Sequence, residues 1–213
     1  MASFGELVLV LGDLHIPERA NAIPESFKRM LVPNKMQHVI CTGNIGREQF
    51  NELCTLAPNV HVVQGDFDDD ETLPFPEVQV VQVGQFRIGL IHGHQLLPSP
   101  SSQDAKTRMR RKLNVDIFIS GHTHQNEVVL EDGYYHINPG SITGAYSAIT
   151  PDVTPSFILL AVQDTKLVCY VYELNKKGEV EVSKTEFTKP ERPASDATTP
   201  GNNNPALLQS LLS

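Results

Sequence analysis

The sequence lacks the basic excess that nucleic acid demands. Its 213 residues carry 17 Lys or Arg against 25 Asp or Glu, a formal charge of −8, whereas proteins that grip a phosphate backbone present a net basic face. The one basic cluster, Lys106, Arg108, Arg110, Arg111 and Lys112, falls on a predicted helix. It reads as a solvated face, with an acidic partner surface as the alternative. No apolar run approaches the ~20 residues of a membrane span. The N-terminus enters a strand directly, without the basic and apolar segments of a secretory leader. Cysteine is scarce: Cys41, Cys54 and Cys169 are odd in number and have no C-x-x-C spacing, which fits a reducing compartment. These absences predict a cytoplasmic protein that reaches membranes only through partners.

What is present is ordinary globular composition, 40% apolar and 20% charged, in a chain long enough for one full core. Apolar runs predict strands at 7–11, 37–41, 60–64, 78–83, 86–91 and 116–120, with helices over 24–31, 47–56 and 101–113. After residue 124 the pattern is antiparallel β, at 127–130, 134–137, 157–162, 167–174 and 180–187, with tight turns such as Glu131-Asp132-Gly133. This order predicts an α/β sandwich of two facing mixed sheets flanked by helices, occupying residues 1–189. The remainder, 190–213, is a tail rich in Pro, Ser, Thr and Asn that is too poor in apolar surface to fold and is expected to be disordered. Its segment 206–212 sets four leucines on one helical face, as an idle tail or as a docking peptide for a partner or for its own domain.

Five predicted strands end alike. They lead into Gly12-Asp13-Leu14-His15, Gly43-Asn44, Gly65-Asp66-Phe67-Asp68, His92-Gly93-His94 and Gly121-His122-Thr123-His124. A buried strand followed closely by Asp, Asn or His places a ligand at the carboxyl edge of a sheet, where open α/β sheets bind. Asp13 and His15 are two apart and are expected on one side of an extended turn, a geometry that His122 and His124 repeat. Imidazole nitrogen and carboxylate oxygen suit divalent metals, and a metal pair needs ligands from several loops plus a bridge. Asn44 taken alone also suits a turn. His38, His61, His94 and His136 match no ligand position and read as ordinary polar or core histidines.

The order D-x-H, G-[D/N], G-N-x-[D/E], H, G-H-x-H resembles that of the calcineurin-like metallophosphoesterases, over about residues 7–187. The resemblance implies one metal held by Asp13, His15 and His124 and another by Asp66, His92 and His122, with Asn44 between them. Two departures stand out. The bridge is Asp in active relatives and Asn44 here, while the third-motif Asn is Asp66 here, so the carboxylate count holds but the anion leaves the bridge. A neutral amide screens two cations less well, and weak or partial occupancy by Zn or Mn is expected. Beside the third-motif ligand, active relatives carry a His where this chain has Phe67, which cannot move a proton. General acid–base help is worth about 10²–10⁴ in rate. The expectation is a protein with no catalytic residue and no enzymatic role, with a weak divalent-metal-dependent phosphodiesterase as the alternative.

Residues 8–17, 89–95 and 137–141 carry a closer similarity, to the retromer-coat branch of that superfamily. It implies a scaffold at endosome membranes for retrieval to the Golgi or plasma membrane. The pocket side would meet the α-solenoid of vacuolar protein sorting-associated protein 35, and a remote apolar patch would dock sorting nexins or Rab GTPase regulators. In 167–173, strand alternation puts Cys169 and Val171 on one face and Tyr170 and Tyr172 on the other. With Leu159 from the neighbouring strand, and with Leu96 and Leu97 in the loop before Pro98, these tyrosines form the expected patch, tyrosine being a favoured interface anchor.

Overall fold

Apolar runs at 8–11, 39–41 and 117–119 are buried on both faces, while 167–172 alternates buried and half-buried residues, and eleven strands result among the described residues. The computed structural model describes residues 5–69, 71 and 73–189; the tail expected over 190–213 lies outside them. In chain order the elements are β1 (Glu6–Leu11), α1 (Glu25–Lys28), β2 (His38–Cys41), α2 (Arg47–Leu56), β3 (Asn59–Val62), β4 (Val78–Val83) and β5 (Phe86–Ile91). There follow α3 (Gln103–Leu113), β6 (Ile117–Ile119), β7 (Asn126–Glu131), β8 (Tyr134–Pro139), β9 (Ser156–Gln163), β10 (Lys166–Leu174) and β11 (Val180–Thr188).

One sheet has the order β11-β10-β9-β1-β2-β3 and the other β4-β5-β6-β8-β7. Both are mixed, as predicted. β1, β2 and β3 run parallel while β9, β10 and β11 join antiparallel; β5, β6 and β8 run parallel between antiparallel β4 and β7. Between the sheets lies the main core, built from Val8, Val10 and Leu160 on one side and Ile88, Leu90 and Ile117 on the other. Cys169 faces into it, and burial pushes its thiol up to about 12. Phe27 of α1 and Leu53 of α2 cover the outside of the six-stranded sheet. Ala105 and Leu113 of α3 cover the outside of the five-stranded one.

Two expectations change. The helix expected over 24–31 is regular only over α1, and of its apolar residues Phe27 alone is buried while Met30 is exposed. The apolar patch is not one surface. Leu96 is 2% exposed and packs with Ala105 and Leu113 beneath α3, because the loop after β5 folds back under that helix. Leu97 is 74% exposed, but its carbonyl accepts from Arg108 of α3, so it sits on the α3 side. Leu159, Tyr170 and Tyr172 lie on the outer face of the six-stranded sheet, where Tyr170 pairs with Leu159 and Tyr172 stacks on Phe157. The sandwich itself separates the two groups.

α3 is tied down by a buried polar chain. Lys106 is buried against Glu127, whose other oxygen accepts from Gln103. His136 Nδ1 lies 3.3 Å from Glu127 Oε2, and its Nε2 is 2.9 Å from Ser120 Oγ. His136 and the Lys106 ammonium together hold Glu127 down to about 2 against the effect of burial. Its ionised form therefore stabilises the fold fully above about 4.5, and that contribution is lost as pH falls from there towards 2. Lys106→Met leaves Glu127 without its cation. The variant should lose about 1–3 kcal/mol at pH 7 and show a weaker dependence on acid between pH 4.5 and 2. Urea unfolding of both proteins across that range is the check.

Candidate metal centre

The loops after β1, β2, β3, β5 and β6 converge at one edge of the sandwich. Instead of the extended turns expected from the sequence, five of the seven ligand residues adopt left-handed backbone: φ is 50° at Asp13, 46° at His15, 57° at Asn44, 69° at His122 and 60° at His124. Such angles cost roughly 1–2 kcal/mol for each non-glycine residue and gather at functional sites. Cross-loop hydrogen bonds hold them. Asp13 N donates to Gly43 O and His15 N to Asn44 O, each at 3.1 Å. A Cβ on Gly12 would lie 1.7 Å from Thr42 Oγ1, so only glycine permits this approach of the first two loops.

Three further residues fix the cage, and sequence reasoning gave them no role. Ser141 Oγ donates to Asp13 O at 2.7 Å and Thr143 Oγ1 to Leu14 O at 2.8 Å. Asn138 Nδ2 donates to Gly121 O at 3.2 Å and to Thr123 Oγ1 at 2.9 Å. Asn138 and Ser141 lie inside the 137–141 stretch that carried the closer similarity, so position in a motif was the only available signal.

The side chains form two adjoining groups. Asp13, His15 and His124, all buried, offer donor atoms within 4.8 Å of one another. Asp66 Oδ1 is 2.8 Å from His92 Nε2, and His122 Nδ1 is 3.2 Å from that nitrogen. His94, set aside on sequence grounds, also groups with Asp66 and His92 within 4.8 Å. The remote ring nitrogens settle what the near ones can do. His92 Nδ1 donates to Thr42 O and His124 Nδ1 to Ala145 O, both at 2.6 Å. A backbone carbonyl bound to one imidazole nitrogen fixes the tautomer and aims the other lone pair at a metal. Burial first, then His124 and Arg19, push His15 down to about 3, so it too is a neutral donor. These residues fit a divalent cation.

Within the cage, the contact of His92 with Asp66 and the Asn44 amide offset the carboxylates. Burial works against the ionised forms of both His92 and Asp66, yet their contact raises His92 above its ordinary value, and hydrogen bonds from His122 and His92 hold Asp66 well below the carboxylate range. Asn44 Nδ2 lies at the centre, 3.3 Å from Asp13 Oδ1, 3.1 Å from Asp66 Oδ1, 3.0 Å from His15 Nε2 and 3.2 Å from His92 Nε2. Asn44 Oδ1 points the other way and accepts from Phe67 N at 3.0 Å.

Phe67 stands at the rim, 64% exposed, with its ring 5.4 Å from that of His15 in an edge contact. Arg19 lies 4.3 Å over its face and donates to Tyr146 O. Asp68 staples the base of the same loop, accepting from Gly65 N, Asn44 N and Ile45 N at 2.7, 2.9 and 2.7 Å. Because Asn138 clamps the loop that carries His122 and His124, Asn138→Ala should weaken Zn²⁺ binding by about 10–100-fold. Chelator competition measures this, and an unchanged affinity would mean that the loop keeps its shape without the clamp.

Residues 7–165 match the model of the calcineurin-like phosphoesterase superfamily domain. Vacuolar protein sorting-associated protein 29 of Schizosaccharomyces pombe is 38% identical over 190 residues, covering 87% of this chain and all of that protein. The structure of vacuolar protein sorting 29 from Cryptosporidium parvum superposes with a TM-score of 0.83 at 42% identity, covering 88% of this chain and 100% of the other. Vps29 of Entamoeba histolytica, solved in complex with Zn²⁺, superposes with a TM-score of 0.80 at 45% identity, covering 85% and 99%. The chain belongs to the vacuolar protein sorting-associated protein 29 family, within the calcineurin-like phosphoesterase superfamily.

Proposed function

We propose that this protein is a non-catalytic scaffold subunit of the retromer coat, acting at endosome membranes in the retrieval of cargo receptors. Family membership supports a retromer subunit role in vacuolar protein sorting. No helix among the described residues is long and apolar enough to cross a membrane, which agrees with attachment through partners. The observation that carries the non-catalytic reading is Phe67: where a proton donor would face substrate, an aromatic ring lies against His15 and beneath Arg19.

Two surfaces suit the partners that the family resemblance implies. Phe67, Tyr146 and Ile149 expose apolar area around the pocket, which suits the α-solenoid of vacuolar protein sorting-associated protein 35. Leu159, Tyr170 and Tyr172, on the remote sheet face, suit sorting nexins or Rab GTPase regulators, tyrosine being a common interface anchor. Leu159→Asp and Tyr172→Asp should each weaken regulator binding at least tenfold while solenoid binding stays within twofold. Wild-type regulator affinity in both variants, measured by calorimetry, would remove this assignment.

A weak metal-dependent phosphodiesterase is the second reading, favoured by the nearly complete ligand cage. Asp13, His15 and His124 would hold one cation and Asp66, His92 and His122 the other, with Asn44 between. A bound cation polarises a phosphoryl oxygen and lowers the pKa of a bound water, while Arg19 at the rim would face an anionic substrate. With an aryl phosphodiester and excess Mn²⁺, the scaffold reading expects no turnover by the wild type and a gain in Phe67→His. Wild-type turnover that disappears in His92→Ala would put the enzyme first.

A further inference from the structure

Asn44 has two jobs that one orientation of its amide cannot serve. Its Nδ2 faces four ligand atoms at 3.0–3.3 Å. Its Oδ1 lies on the opposite side, accepts the N–H of Phe67 at 3.0 Å, and sits where a Cβ on Gly65 would come within 2.2 Å of it. A cation at the bridge must meet oxygen, because an amide nitrogen carries its hydrogens there and has no lone pair to give. Bringing Oδ1 round to the bridge sends Nδ2 into the space against Gly65 and Phe67 N, donor against donor.

We infer that a bridging divalent cation and the backbone N–H of Phe67 compete for the single oxygen of Asn44, so that loading the metal centre releases the tip of the Phe67 loop. The inference rests on the reading of this cage as a metal centre. An aspartate at the bridge escapes the conflict, since one carboxylate oxygen can face the cage while the other accepts from Phe67. The replacement of Asp by Asn at position 44 thus converts a passive bridge into a coupling residue. Release is confined to the tip, because the loop base keeps its three bonds from Gly65, Asn44 and Ile45 to Asp68. The ring that moves is the exposed Phe67 under Arg19, part of the collar around the pocket, so the shape of that collar depends on metal.

The experiment is amide hydrogen exchange by NMR on the full chain, with and without saturating Zn²⁺, alongside calorimetric titration of Zn²⁺. In the wild type, Zn²⁺ should accelerate exchange of the Phe67 amide at least tenfold and leave Gly65, Asn44 and Ile45 within about twofold. Asn44→Asp should bind Zn²⁺ more tightly and show no acceleration at Phe67. Zn²⁺ uptake with unchanged Phe67 exchange in the wild type, or equal acceleration in Asn44→Asp, would overturn the inference while leaving the metal centre intact. No uptake at millimolar Zn²⁺ would overturn both. Should Asn44→Asp fail to fold, the contrast in the wild type between Phe67 and its three neighbours decides.

Discussion

The ligand residues are held in a backbone conformation that they would not choose alone. Asp13, His15, Asn44, His122 and His124 all have positive φ, a region that Asp, Asn and His enter more readily than other non-glycine residues but still at a local cost. That strain persists only because the two sheets are clamped face to face and their loops are cross-bonded. The clamp draws on parts of the chain that contribute no ligand. Asn138, Ser141 and Thr143 come from the end of β8 and the loop beyond it, while β9 pairs directly with β1, the strand that delivers Asp13. The second half of the chain is therefore the brace for a cage whose ligands end at residue 124.

Much of this was legible in the sequence. Apolar runs that end in Gly and a ligand mark strand ends, since a buried parallel strand leaves few other places for Asp or His. The alternation in β10 likewise assigned Cys169 to the core and Tyr170 and Tyr172 to the other face. What stayed hidden depends on distance in space rather than spacing in sequence. Leu96 and Leu97 are neighbours in sequence, but one is buried under α3 and the other is open. No local pattern reports which loop leucine finds a cavity. Left-handed histidines are similarly invisible, because His enters that region only somewhat more readily than most residues and the tertiary bonds decide where it does. His94 failed the ligand pattern and yet lies within reach of Asp66 and His92, since that pattern records position in a motif and not proximity.

The amide at the bridge also makes the cage electrostatically tolerable. An aspartate at position 44 would bring a third carboxylate to about 3 Å from Asp13 and Asp66, and like charges at that range cannot all remain ionised without a cation. The Asn44 amide instead presents its hydrogens to both carboxylates, and His92 Nε2 lies 2.8 Å from Asp66 Oδ1. Asn44, Asp13, Asp66 and His92 thus find partners in one another, which is the condition for such a network to survive in a folded interior.

The exposed Leu97 beside α3 and the half-buried Tyr170 and Tyr172 on the outside of the six-stranded sheet lie on opposite layers of the sandwich, with the main core between them. Ligands of the two surfaces do not contend for the same ground. If the tightly packed core does not yield, their affinities multiply without cooperativity, and the final assembly is the same whichever ligand arrives first. On the proposed scaffold reading, a molecule of this shape would work as a rivet, joining what lies on its two sides without requiring either to be in place beforehand.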